Sequence, residues 1–255
     1  DSVTVTGGWV EGYQDMTYPY TTVQRPFQAM LKKVNMPIDV KKVKLRLDKF
    51  NYTYTSGIFP PSTIRMNNID ASVIRISNTD LRDLVVLLKC SINGGGGYMV
   101  MNMRLLKDDI CSWRERIILE NANLKAFNGF LGSIAGAEVS GRVRKMECYA
   151  KGDSASAGGT FVMEYSGLDA KIIKGKSPIK QLNENSKALN GLVKILLPPA
   201  NPAKPGDKPK AYRVKGKRDL YKPYMIYMLS PMFNGLQETL LAPFYLHKEI
   251  KEKKR

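Results

Sequence analysis

The sequence has 255 residues, of which 43% are hydrophobic and 25% charged, so its composition is ordinary for a globular protein and excludes wholesale disorder. Its charge is unusual, because 40 Lys and Arg against 23 Asp and Glu leave a net charge of +17. Such a balance repels itself unless nucleic acid, an anionic membrane surface or an acidic protein compensates it. Residues 171–255 contain 19 basic and 6 acidic residues and so carry +13 of the total.

The three cysteines, Cys90, Cys111 and Cys148, are odd in number and too far apart for a metal-binding motif. We therefore expect free thiols in an intracellular reducing compartment or a virion, rather than a disulfide framework. No secretory signal is visible at the start of the sequence. No apolar run reaches the roughly 18 residues needed to span a bilayer, so we expect a soluble or peripheral protein without a transmembrane segment.

Residues 1–37 are rich in aromatic and turn-forming residues, and we predict an irregular arm that packs on a neighbouring subunit or a partner. A β-rich body is expected over residues 38–197. Its first strand is predicted at Val40–Thr55, where apolar residues alternate with basic ones. After Asp48 the apolar phase slips by one residue, which indicates a bulge or a bend.

A hairpin is predicted from Leu84–Ile92 and Tyr98–Leu105, because the Asn93-Gly94 pair between two apolar runs tolerates the positive φ of a tight turn. The spacing of the leucines also fits a helix that begins at Thr79, and the sequence leaves this alternative open. Shorter strands are predicted from apolar alternation at Ala71–Ser77, Arg142–Ala150, Thr160–Tyr165 and Ala170–Lys174.

A central helix is predicted over residues 108–127, because two aspartates begin it and Ile110, Trp113 and Ile117 share a face. A short helix at Ile179–Leu189 and an apolar run at Leu192–Leu197 complete the body. Residues 198–222 combine five prolines with lysines and predict an extended basic loop.

Residues 223–255 are expected to pack on the body. The sequence predicts a strand at Tyr221–Leu229, a short helix at Gly235–Leu241 and a basic tail at Lys248–Arg255. The fold class is therefore α+β and mainly β. It would have antiparallel sheets, arranged as in a sandwich or a jelly roll, with one central helix and a short C-terminal helix.

The basic loop is the first candidate binding site. Eight basic residues lie between Lys204 and Lys222, and only Asp207 and Asp219 oppose them. Lysine and arginine neutralise phosphates, and an interleaved tyrosine can stack on a base. A solvated lysine-rich loop is the alternative. The residues chosen here as nucleic-acid-binding are Lys208, Lys210, Tyr212, Arg213, Lys215, Lys217 and Arg218.

The first predicted strand provides the second candidate. If its apolar residues face the core, Lys42, Lys44 and Arg46 lie on the outside about 7 Å apart. This is close to the spacing of phosphates along an extended single strand, about 6–7 Å. An edge strand protected by lysines against aggregation would explain the same pattern. Weaker basic clusters are Arg142, Arg144 and Lys145, and the basic tail.

The sequence gives little support to catalysis. His247 is the only histidine, so no histidine-dependent nucleophile can be placed without it. The Asp108-Asp109 pair is explained by helix capping, and neither glycine-rich stretch has the spacing of a phosphate-binding loop. We expect no enzyme, no cofactor and no metal site.

A β-rich body, an aromatic N-terminal arm and basic loops without a catalytic set resemble, in composition and organisation, viral structural proteins. No motif carries this resemblance, so it transfers no residue role. It implies a self-assembling coat or nucleocapsid-like protein, a homo-oligomer that binds RNA or DNA non-specifically through phosphates. The alternatives are a matrix-type scaffold on anionic lipid and, less favoured, an enzyme accessory subunit.

Overall fold

The structure is a computed structural model that describes residues 2–15, 17–18, 21–55, 61–79, 82–107, 111–135, 137–172 and 197–240. Within these ranges the chain forms ten strands, three α-helices and a short 3-10 helix. The strands are β1 (Ser2–Thr6), β2 (Trp9–Asp15), β3 (Asp39–Thr55), β4 (Ser62–Ser77), β5 (Leu84–Ile92), β6 (Gly97–Leu105), β7 (Trp113–Asn123), β8 (Ala137–Gly152), β9 (Ser156–Ile172) and β10 (Ala211–Lys217). The helices are α1 (Phe27–Leu31), the 3-10 helix (Leu124–Phe127), α2 (Asn128–Ala135) and α3 (Tyr224–Leu240).

All ten strands belong to one sheet. Strands β3 to β10 follow each other in chain order, and each is antiparallel to the next. Strands β1 and β2 both run parallel to β3, beside its first and second halves. The protein is therefore mainly β, with one large and mostly antiparallel sheet. The described strands form no second packed sheet, and the expected sandwich or jelly roll is not confirmed.

The hydrophobic core lies on one face of the sheet. Because the side chains of a strand point alternately to the two faces, every second residue of a strand contributes to this core. In β7 the buried residues are Trp113, Glu115, Ile117 and Leu119 at alternate positions, and Ala122 beyond them. Helix α3 covers β8, β9 and β10 on this face, and its Tyr227 ring meets the Trp113 ring edge to face at 5.8 Å. We call this side of the sheet the core face and the opposite side the outer face.

The sheet is curved around its helices. Helix α2 contacts both β4 and β8, although four strand spacings would separate these strands by about 19 Å in a flat sheet. Beyond the two ends of the sheet the chain also meets itself, since the Gln24 amide donates to the Leu220 carbonyl at 2.7 Å. The segment that follows β2 thus lies beside the segment that follows β10.

Several strand predictions are confirmed. The shorter strands predicted at Ala71–Ser77, Arg142–Ala150 and Thr160–Tyr165 lie within β4, β8 and β9, and β9 also includes the described part of Ala170–Lys174. Strand β3 covers Asp39–Thr55, and the hairpin of β5 and β6 turns at residues 93–96, which excludes the alternative helix through residues 84–88. The predicted phase slip after Asp48 lies opposite an irregularity in the neighbouring strand β4. There Asn68 adopts a φ of 51°, and the pairing of β4 with β5 shifts register between Asn67 and Asp70.

The predicted central helix over residues 108–127 is wrong. Residues 113–123 form strand β7, and helical turns begin only at Leu124. Trp113 and Ile117 are four residues apart, a spacing that fits one face of a helix and also one face of a strand. The residue between them on that face is Glu115, and its carboxylate concealed the strand alternation.

The predicted boundaries also fail at both ends of the chain. The arm of residues 1–37 is not irregular throughout, because it supplies β1, β2 and α1. The loop of residues 198–222 contains strand β10, and the strand predicted at Tyr221–Leu229 is instead the first half of α3. The short helix predicted at Gly235–Leu241 is the second half of α3. The predicted helix at Ile179–Leu189 and the basic tail lie outside the described residues.

Candidate nucleic-acid interface

Strand β10 presents basic side chains on the outer face. Tyr212 and Val214 point to the core face, where Val214 is buried, so the alternate residues Arg213, Lys215 and Lys217 point outward and are exposed. Successive side chains on this face are about 7 Å apart. Lys208 and Lys210 precede the strand and are also exposed, and the Lys210 ammonium lies 4.9 Å from the centre of the Tyr212 ring.

The strand register extends this charge across the outer face. Lys215 pairs with Gly158 on β9, Gly158 with Lys151 on β8, Lys151 with Arg114 on β7, and Arg114 with Arg104 on β6. We call Arg104, Arg114, Lys151 and Lys215 the basic row. Because neighbouring strands are about 4.8 Å apart, the row spans about 19 Å measured along the sheet. With Arg213 and Lys217 it forms what we call the outer basic patch.

The six cations of the outer basic patch have no ion-pair partner among the described residues. Their neighbours do: Arg116 binds Glu147 at 2.7 Å, Lys145 reaches the same carboxylate at 3.4 Å, and Arg144 pairs with Glu164. The hydrogen bond from Arg116 holds the pKa of the Glu147 carboxyl below its usual range. The patch therefore holds six positive charges on this face that no ion pair among the described residues neutralises.

An aromatic side chain lies beside the basic row. Tyr149 pairs with Arg116 on one side and with Thr160 on the other, one step along β8 from Lys151. Its side chain is 47% exposed. An exposed ring among unpaired cations provides a stacking surface for a nucleobase.

At one end of the basic row the described residues form an open groove of about 800 Å³. Arg114, Lys151, Lys215 and Lys217 line it, together with three residues without side chains: Gly152, Gly158 and Gly216. Among the described lining residues the one acid is Asp153. Its carboxylate accepts hydrogen bonds from the amides of Ala155 and Ser156 at 2.8 and 2.9 Å, which lower its pKa. The groove is basic overall.

The wall of this groove holds an unsatisfied donor. The Trp113 indole N–H is buried and has no hydrogen-bond partner among the described residues. The indole lies against Gly152, where an added Cβ would overlap the ring. Buried polar groups are normally paired, so an unpaired donor at a basic groove is a feature to be explained.

The structure separates the candidate residues chosen from the sequence. Arg213, Lys215 and Lys217 lie together in the patch. Arg218 is half-buried, donates to the Gln24 carbonyl, and lies over two aromatic rings of α3. Its guanidinium therefore joins the end of β10 to the helix and to the segment after β2.

The second candidate set lies on the same face but far from the first. Lys42 on β3 and Lys215 on β10 are seven strands apart, about 34 Å along the sheet. Strand β3 is not an edge, because β1 pairs along it, so protection of an edge does not explain its lysines. Lys44 lies 4.0 Å from the Asp70 carboxylate, which partly compensates this set.

The sequence interpretation missed Arg104, Arg114, Lys151 and Tyr149. These residues come from three strands and are far apart in the sequence, so only the register brings them together. Each of them occupies an outward-facing position in a strand with alternating apolar residues. The sequence could have revealed this only if β7 had been predicted as a strand.

No protein-family model, curated protein or solved structure matches this chain. Among the described residues, no group of three metal-ligating side chains could hold a metal ion. The same residues include no helix that is long and apolar enough to cross a membrane.

Proposed function

We propose that this chain is a structural protein that self-assembles and binds nucleic acid non-specifically through the phosphate backbone. The observation that carries the proposal is the outer basic patch, in which six cations on four strands share one face without ion-pair partners among the described residues. Like charges this close repel each other, and a polyanion relieves that repulsion.

The arrangement of the patch favours contacts to phosphates over base readout. Its side chains stand on a sheet face about 7 Å apart along β10 and about 5 Å apart from β6 to β8, with about 10 Å between Lys151 and Lys215 across Gly158. Sequence readout of duplex DNA instead uses a helix or a ribbon inserted into a groove. Contacts of lysine and arginine to phosphate fix position and carry no sequence information.

Self-assembly is supported by the free edge of the sheet. Strands β1 and β2 pair with β3 on one side, and on the other side they leave backbone groups for another chain. Large apolar side chains are exposed along this edge, including Trp9 and Tyr13 at 67% and 66%. The described residues of β1 and β2 carry Glu11 and Asp15 and no basic residue, so the edge is complementary in charge to strand β10.

Binding to a labelled 20-nucleotide single strand, measured by fluorescence anisotropy against salt, tests the proposal. Each phosphate contact contributes about 0.7 to the salt slope, so six cations predict a slope of about −4. The association constant should then fall about 300-fold between 50 and 200 mM salt. The triple variant Lys151→Gln, Lys215→Gln, Lys217→Gln should show a slope of about −2 and a fall of about 20-fold.

A matched variant controls for net charge. Lys33→Gln, Lys49→Gln and Lys125→Gln remove the same charge from exposed positions outside the patch and should leave the slope near that of the native chain. Absence of binding at 50 mM salt would refute the proposal, as would equal slopes for the two triple variants. Co-sedimentation with anionic vesicles but no affinity for the single strand would instead support the lipid-binding scaffold.

A further inference from the structure

The groove at the end of the basic row has features that distinguish between kinds of nucleic acid. Its volume of about 800 Å³ lies within the range of pockets that enclose a small organic group. We infer, as an extension of the proposed function, that this groove binds a nucleotide unit of a single strand, and that the protein prefers single-stranded to double-stranded nucleic acid.

The basis of the inference is the arrangement of Lys151, Gly158 and Lys215. These residues stand side by side on three neighbouring strands, so the two ammonium groups flank a position without a side chain. The two strands that carry the lysines are about 10 Å apart. A phosphate seated over Gly158 would meet a lysine on each side, and its sugar and base would continue along the groove.

The wall of the groove provides contacts that a base can use and a phosphate alone cannot. Trp113 and Leu106 contribute apolar atoms to its lining. Tyr149 stands close by on the outer face for a neighbouring base. A single strand can turn its bases toward such surfaces, whereas in a duplex the bases are stacked and paired inside.

A substitution at Gly158 can fill the space between Lys151 and Lys215 without changing any charge. A Cβ added there would lie 3.6 Å from the Val214 carbonyl oxygen, which is an ordinary contact. Gly158→Ala should therefore fold, and its single methyl group should weaken single-strand binding less than a longer side chain does. Gly158→Gln would place a longer side chain between the two lysines, and we expect single-strand binding at least 10-fold weaker, with the thermal midpoint as a check on folding.

The test compares a 12-nucleotide oligothymidylate with a 12-base-pair duplex at 50 mM salt, in the full chain. We expect the single strand to bind at least 10-fold more tightly. In a Trp9→Phe background Trp113 is the remaining tryptophan, so the single strand should quench its fluorescence and the duplex should not.

The outcomes separate the inference from the proposed function. If the duplex binds as tightly as the single strand, or if binding leaves Trp113 fluorescence unchanged, the inference is refuted while phosphate binding stands. If Gly158→Gln folds and binds the single strand like the native chain, the groove is not the site. If neither nucleic acid binds at 50 mM salt, both the inference and the proposed function fail.

Discussion

Glu115 makes the stability of the protein depend on pH over a neutral range. Its side chain belongs to the core face of β7 and is 2% exposed, and neither carboxylate oxygen has a hydrogen-bond partner among the described residues. Burial raises the pKa of Glu115 from 4.5 to about 8, because an ion in an apolar interior loses its hydration. At neutral pH most folded molecules therefore hold this carboxyl protonated.

The sign of the effect follows from proton binding. Between pH 4.5 and about 8, the folded state retains a proton that the unfolded state has released, so stability falls as pH rises through this window. The contribution is fully present below pH 4.5 and fully lost above about pH 8. From pH 5.5 to 8.5, at about 1.4 kcal/mol for each pH unit up to the folded pKa, the loss is about 3 kcal/mol.

The assay is thermal unfolding of the native chain and of Glu115→Gln, which has nearly the same shape and cannot ionise. A loss of about 3 kcal/mol lowers the midpoint of a chain of this size by roughly 6–12 °C. The difference in midpoint between Glu115→Gln and the native chain should grow by that amount from pH 5.5 to 8.5. The other described groups with shifted pKa values titrate outside this window. Parallel midpoints at all pH values would refute the reasoning.

Two further substitutions test the packing around α3. Arg218→Ala removes the hydrogen bond to the Gln24 carbonyl and the ring contacts, and should cost about 2–3 kcal/mol in urea unfolding. Its salt slope for single-strand binding should stay that of the native chain, and a slope lower by about 0.7 would place Arg218 on the nucleic acid. Gly235→Ala would drive a Cβ into the Phe161 ring and should cost about 1–3 kcal/mol, whereas Gly158→Ala should cost less than 1 kcal/mol. Equal losses would contradict the close approach of α3 to β9.

The fold was predictable where local pattern and tertiary environment agree. Strand β3 has alternation over its first half, and the β5–β6 hairpin has a turn sequence between two apolar runs. In both cases the residues that decide the element lie within a few positions of one another. Alternation and turn chemistry are local properties, so the sequence alone reveals them.

The prediction failed where a buried or an interrupting residue contradicts the pattern. Glu115 is polar at a core position of β7, so the strand resembled a helix. The apolar run at Tyr221–Leu229 predicted a strand, whereas α3 begins within it and continues through Pro231, which lies inside the helix and is buried. Prolines and lysines around Ala211–Lys217 concealed β10, although Tyr212 and Val214 alternate with its basic residues.

The candidate binding site was predictable only on one strand. Arg213, Lys215 and Lys217 follow each other at alternate positions, so sequence spacing placed them together. Lys151 and Arg114 join them through cross-strand register, and no spacing along one segment encodes which strands are neighbours. The same limit explains why Arg218, next to Lys217 in sequence, was assigned to the site although its side chain packs inward.

The strand order has a consequence for how the chain folds. From β3 to β10 each strand pairs with the strand before it in sequence, so most contacts join neighbouring segments of the chain. Closing the short loops between such strands costs little conformational entropy. The hydrogen bond from Gln24 to Leu220 is different, since it joins residues almost 200 positions apart. The sheet can therefore grow one hairpin at a time, while the meeting of its two ends waits until β10 is in place.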